Sequence, residues 1–242
     1  MVAAGMRRYR VRSSAHATLV GPSGDDVVDP AALFPGHTGP LRLEIGCGHG
    51  EFISQLAAAH PAERFLGIEY DPLRVTKIAH KCLGLGADNV RVFQGEAHRF
   101  VHVRLPTASV DRIYILFPDP WPKPGHRRRR LMNRHFLHDL SRIAAPGCRL
   151  EIASDTHDYA FQALSNLTTL HGLWHNRFPA GYAIDIPTRF PTVFERYKKS
   201  EGCTIAYLRL ERTAVEAPRV PELLEFGRAL APRPLPTPTR PT

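Results

Sequence analysis

The sequence predicts an α/β domain built on a mostly parallel sheet with helices on both faces. Strand-like and helix-like apolar patterns alternate through the middle of the chain. The strand segments are short and mostly apolar, as expected of strands covered on both sides by crossover helices. A glycine-rich turn joins the first strand to the first helix.

The first strand covers residues 41–45 and runs through Gly46, Cys47, Gly48, His49 and Gly50 into a helix with Phe52, Ile53, Leu56 and Ala57 at helical spacing. Residues 65–68 form the second strand, followed by the helix face Val75, Ile78, Ala79, Cys82 and Leu83, closed by Gly84. Third and fourth strands fall at 90–93 and 113–117. Phe136, Leu137, Leu140, Ile143 and Ala144 mark a helix that stops before Pro146-Gly147. A strand at 150–153, a helix through Phe161, Leu164 and Leu167, and a closing strand at 205–210 complete a domain assigned to residues 41–215. Residues 1–40, with Arg7, Arg8, Arg10 and Arg12 near the start, read as a flexible basic arm and loose lead-in. Residues 216–242 read as a Pro-rich extended tail.

Lys and Arg number 32 against 23 Asp and Glu, giving a net charge of +9 over 242 residues. That excess favours a polyanionic partner, either nucleic acid or an anionic membrane face. No apolar run reaches the roughly 18 residues needed to span a bilayer, and no apolar h-region follows the early arginines. Cys47, Cys82, Cys148 and Cys203 are scattered, as expected of buried thiols in the reducing cytoplasm. The histidines lack ligand spacing, so no metal is expected.

Two segments carry the chemistry. In the first, glycines let the backbone pass close to a ligand, and Glu69 ends the next strand about 20 residues on, where an acid reaches ribose hydroxyls. Glu44 stands two residues before the first glycine. It would repel a pyrophosphate but attract a ligand carrying an ammonium and a sulfonium. A simple tight β–α connection and an NAD-dependent oxidoreductase are the competing readings. The second segment is Phe117-Pro118-Asp119-Pro120-Trp121-Pro122-Lys123-Pro124, followed by Gly125, His126, Arg127, Arg128, Arg129 and Arg130. Its prolines stiffen the turn beyond the fourth strand, and its arginines suit an RNA backbone. The competing roles for the arginines are capping the next helix and pairing with Asp139. Trp121 is equally a stacking face or a core anchor.

The glycine segment resembles the first motif of Rossmann-like S-adenosylmethionine methyltransferases. With the Phe117–Trp121 turn, Lys123, the run from His126 to Arg130, Ala153-Ser154-Asp155, and the late element Thr192-Val193-Phe194-Glu195, the chain resembles the tRNA (guanine-N7-)-methyltransferases from about residue 41 to 211. The resemblance implies a seven-stranded, mostly parallel sheet, S-adenosylmethionine as cofactor, tRNA as partner without membrane or metal, and a monomer or small homo-oligomer. It makes Glu44, Gly46, Gly48, Gly50, Glu69, Glu96 and Asp119 cofactor-site positions, with Asp119 also catalytic. Glu96 would lie at the adenine edge, where the family usually has Asp or Asn. Lys123, Asp155, Thr192, Val193, Phe194 and Glu195 become substrate-site positions, Val193 replacing a frequent Lys. Gly125, His126 and Arg127 through Arg130 become RNA contacts. The implied reaction is in-line attack by the guanine N7 lone pair, with no general base. A methyltransferase acting on another RNA base and a non-catalytic RNA-binding module remain the alternatives.

Overall fold

A computed structural model describes residues 19–20, 27–187 and 190–216. The basic arm with Arg7, Arg8, Arg10 and Arg12, and the Pro-rich tail beyond residue 216, lie outside the described residues.

The parallel half of the sheet is laid down first. Strands β1 (Leu19–Val20), β2 (Leu41–Ile45), β3 (Arg64–Glu69), β4 (Val90–Gln94), β5 (Val110–Leu116) and β6 (Ala144–Ser154) pair in parallel. The short β7 (Trp174–Asn176) and β8 (Ala183–Ile184) pair antiparallel with β9 (Ala206–Arg212), which itself lies antiparallel to β6. The order is β1-β4-β3-β2-β5-β6-β9-β7, with β8 also on β9. Seven of these strands, β2 to β7 and β9, make up the implied mostly parallel sheet, and among the described residues the two-residue β1 and β8 add to it.

Helices α1 (Pro30–Leu33), α2 (Glu51–Ala59), α3 (Pro72–Gly84), α4 (Ala97–Arg99), α5 (Arg134–Ile143), α6 (His157–Thr168) and α7 (Val193–Ser200) connect them. Alternation along each strand splits the core in two. Ile53, Leu56, Val75, Ile78 and Cys82 of α2 and α3 join Phe65, Val90 and Val92 on one face. Phe136, Leu137, Leu140 and Ile143 of α5, with Tyr159, Ala163 and Leu167 of α6, join Leu43, Ile113 and Leu150 on the other. Helix α3 shows how sequence sets local structure: Asp71 Oδ1 accepts from Leu73 N at 2.8 Å, and Pro72 fills the first turn where no donor is needed. No helix among the described residues is long and apolar enough to cross a membrane.

Two segments differ from their sequence reading, and a third gains a structure that the sequence reading did not assign. Phe34, in the expected loose lead-in, is buried in the core, and Val28 N donates to Arg104 O at 2.7 Å. Ala144, read as the end of a helix face, is the first residue of β6. The strand absorbs Pro146-Gly147 through an irregularity in its register against β5 between Val110 and Arg112. The Thr192–Glu195 element begins a helix: Thr192 accepts from Glu195 N at 2.9 Å, half of a capping box visible in the T-x-x-E spacing.

Candidate active site

Strand order reverses between β2 and β5. From β2 the chain builds outward through β3 and β4, then returns to the other side of β2 with β5 and β6. Ligands in open α/β sheets bind at such a point, beyond the carboxyl ends of the strands. The glycine turn after β2 and the proline-rich turn after β5 are neighbours there, because Ile45 pairs with Ile115.

In the glycine turn, Gly46 and Cys47 both donate their amides to Ile68 O, at 2.8 and 3.3 Å. Gly46 and Gly48 have φ of +79° and +55°, and a Cβ at either would stand in open space. Gly50, at φ +75°, is required for packing: a Cβ there would lie 2.7 Å from Ile78 Cγ1. Glu69 is buried and accepts from Gly48 N at 2.8 Å and Asp71 N at 3.0 Å, so it fastens the turn. Glu96 is exposed and caps α4, accepting from His98 N at 3.0 Å and Arg99 N at 2.8 Å.

Glu44 is the exceptional group. It is 4% exposed, and its Oε2 has no hydrogen-bond partner among the described residues. Burial raises its pKa to about 8; the Cys47 hydrogen bond opposes this, and the charge of Glu69 adds to it. An orphaned buried carboxyl beside glycines with open space above them fits a ligand that brings its own cationic group.

The proline-rich turn is held under backbone strain: Phe117 and Trp121 take φ of +54° and +40°, which side chains other than glycine rarely adopt. Asp119 is exposed between them. Trp121 is neither a free stacking face nor a core anchor. The Arg129 guanidinium lies 4.9 Å over its ring, and His126 meets it edge-on at 5.8 Å.

The arginine run divides. Arg127, Arg128 and Arg129 are exposed with Gly125 and His126 on a 3₁₀ turn (Pro124–Arg129), which exposed Lys123 precedes. Arg130 is 2% exposed and committed to the protein: it donates to Pro120 O at 2.7 Å, Gln162 Oε1 at 2.5 Å and Asp158 Oδ2 at 2.9 Å, over the Tyr159 ring. It locks the turn to α6, so the exposed cluster holds three arginines where the sequence lines up four.

The late element gathers against the same strand ends. Phe194 lies 5.1 Å from Phe117, ring to ring. Glu195, 3% exposed, accepts from Tyr207 Oη at 2.7 Å and Lys199 Nζ at 2.8 Å. Asp155 lies 3.6 Å from Lys198 Nζ. Val193 is exposed. Tyr207 had no signal in the sequence, since only the antiparallel return of β9 brings it to Glu195; Lys198 and Lys199 were visible only as basic residues after the motif. A cleft of about 450 Å³ reaches Glu195 and Tyr207 and runs along the sheet past Tyr114 and Arg209, bordered by Phe52 and Leu56 of α2.

A family model described as "Putative methyltransferase" matches residues 38–200. The tRNA (guanine-N(7)-)-methyltransferase of Syntrophotalea carbinolica is 36% identical over 184 residues, covering 76% of this chain and 78% of that protein. The enzyme of the same name from Methylococcus capsulatus is 39% identical over 169 residues, with coverages of 69% and 72%. Among solved structures, a variant 16S rRNA (adenine(1408)-N(1))-methyltransferase from Catenulisporales acidiphilia matches with a TM-score of 0.53 at 18% identity, over 78% of this chain and 94% of that one. A "putative methyltransferase" from Thermoplasma acidophilum matches with a TM-score of 0.51 at 15% identity, over 74% and 70%. Those two likenesses establish the fold. Fold, site and family model together define an S-adenosylmethionine-dependent methyltransferase. Within that class, the chain belongs to the tRNA (guanine-N7-)-methyltransferase family.

Proposed function

We propose that this protein methylates N7 of a guanine in tRNA, the variable-loop guanine by family resemblance, and acts in the cytoplasm. The observation that carries the reading is the juxtaposition, at the sheet's switch point, of an orphaned buried carboxyl with a rigid turn bearing Asp119 and three exposed arginines.

Glu44, Gly46, Gly48, Glu69 and Glu96 hold the cofactor, with Gly50 shaping the turn beneath it. When bound, S-adenosylmethionine supplies a methyl group already activated by its sulfonium. Guanine N7 carries an in-plane lone pair at neutral pH, so the protein need not remove a proton from it. The work left to the chain is alignment in a dry pocket and stabilisation of positive charge as it arrives on the purine. Asp119, on the turn facing the glycine segment, supplies negative charge for that purpose. Asp155 and Glu195 accept from the guanine N1–H and exocyclic amine, which adenine cannot satisfy. Lys199 and Tyr207 hold Glu195 in place for this. Lys123 and Thr192 border the substrate, and Gly125, His126, Arg127, Arg128 and Arg129 meet the RNA backbone, where Arg129 is braced by Trp121. Arg130 serves by fixing the turn.

The test is to incubate the full chain with methyl-labelled cofactor and bulk tRNA, digest the RNA and identify the labelled nucleoside. Label in 7-methylguanosine is the expected result. Label in another nucleoside, or none, overturns the reading.

A further inference from the structure

The base side of the site already contains a cation. Lys198 Nζ lies 5.5 Å from the centre of the Phe194 ring and 3.6 Å from Asp155 Oδ2. It also donates to Glu201 Oε2 at 3.2 Å and lies 5.7 Å over Tyr197. Phe194 is 43% exposed and is supported by Phe117, whose left-handed backbone presents its ring at a tilt of 57°. An aromatic face beside a carboxylate favours a cation over a neutral group. Asp155 is assigned above to the base and Phe194 is a substrate-site position by the family resemblance, and an internal ammonium lies against both.

Guanine itself is neutral, but guanine methylated at N7 is a flat cation. Such a ring gains from the Phe194 face both by stacking and by charge, and its N1–H becomes a stronger donor toward Asp155. Lys198 sits on a flexible stem and has Glu201 as a second acidic partner, so it can give up Phe194 and Asp155 without losing all compensation for its charge.

We propose that Phe194 and Asp155 form a pocket selective for a cationic purine, and that Lys198 occupies it until the base displaces the ammonium. This rests on the guanine-N7 reading and goes beyond it by naming the form of the base the pocket prefers. Charge appearing on the ring during transfer is favoured over the neutral ground state, the difference that accelerates a reaction. The returning Lys198 then competes with the product.

The test titrates 7-methylguanosine 5′-monophosphate and guanosine 5′-monophosphate separately into the full chain, with binding read by isothermal titration and tryptophan fluorescence. In Lys198→Ala the methylated nucleotide should bind roughly tenfold more tightly than in the parent, and the unmethylated one less than about threefold more tightly. The gain should vanish in Lys198→Ala/Phe194→Leu and return in Lys198→Ala/Phe194→Trp; Lys198→Gln repeats the test should alanine disturb α7. Equal tightening for both nucleotides, or a gain that survives loss of the Phe194 ring, overturns the proposal. Methylation of tRNA by the parent is measured in parallel. If the parent methylates guanine N7 while the nucleotide preference is absent, the pocket falls alone. If the preference appears without tRNA methylation, the pocket stands and the guanine-N7 reading falls.

Discussion

Lowering the pH should weaken cofactor binding through Glu44. Its pKa of about 8, against an ordinary 4.5, means that the carboxyl is roughly nine-tenths protonated at pH 7. Pairing with a ligand ammonium requires the ionised form, so binding at pH 7 should release close to one proton. The ionised fraction falls from about one half at pH 8 to about one hundredth at pH 6, which predicts affinity up to about 50-fold weaker at pH 6. Above pH 8 the ligand's own α-amino group loses its proton, so affinity should pass through a maximum near there. Stability runs the other way. The folded protein keeps a proton that the unfolded chain gives up near pH 4.5, so this group's contribution declines as pH rises from 4.5 to 8. At about 1.4 kcal/mol per unit, the decline amounts to about 5 kcal/mol. Isothermal titration with S-adenosylmethionine in buffers of different ionisation enthalpy counts the released proton directly. Urea unfolding between pH 5 and 8 reads the second effect, and Glu44→Gln should flatten both profiles. Affinity independent of pH between 6 and 8, with no proton released, would refute the assignment of Glu44 as the cation's partner.

Three other perturbations separate roles that lie close together. Gly50→Ala combines a left-handed φ with a clash on Ile78 and should cost about 3 kcal/mol in urea unfolding, whereas Gly46→Ala should cost about 1 kcal/mol and chiefly weaken cofactor binding. Asp119→Ala should abolish methyl transfer with an unchanged thermal midpoint, since the side chain is exposed; near-normal turnover would remove it from the site. The double change Arg128→Ala and Arg129→Ala should reduce the salt slope of tRNA binding by about 1.5 to 2. Arg130→Ala should leave that slope unchanged but destabilise the fold by about 3 kcal/mol, because it strips partners from Pro120 O, Gln162 and Asp158.

How far each feature was legible followed from the range of the interactions that make it. The β2–glycine turn–α2 unit, the α3 face and the α5 face were readable because their causes lie within a few residues: caps, glycines and 3.6-residue periodicity. The start of β6 was not, because pairing with β5 overrides the breaking tendency of Pro146-Gly147. The short β1, β7 and β8 have too few residues to show a period and exist only through their partners.

The sequence alone determined the order of the longer strands and helices from β2 to α6 and β9, the acids at the strand ends and the rigid basic turn, since each is written in local backbone chemistry and charge. Tertiary structure decided what those residues do. Four successive arginines look alike on paper, yet packing against α6 buries Arg130 and leaves its neighbours at the surface. Glu44 is an ordinary glutamate until burial and the nearby Glu69 charge raise its pKa. Lys198 meets Asp155 only because α7 folds back over the end of β6. Burial, field and long-range contact are properties of the assembled chain, and no stretch of sequence contains them by itself.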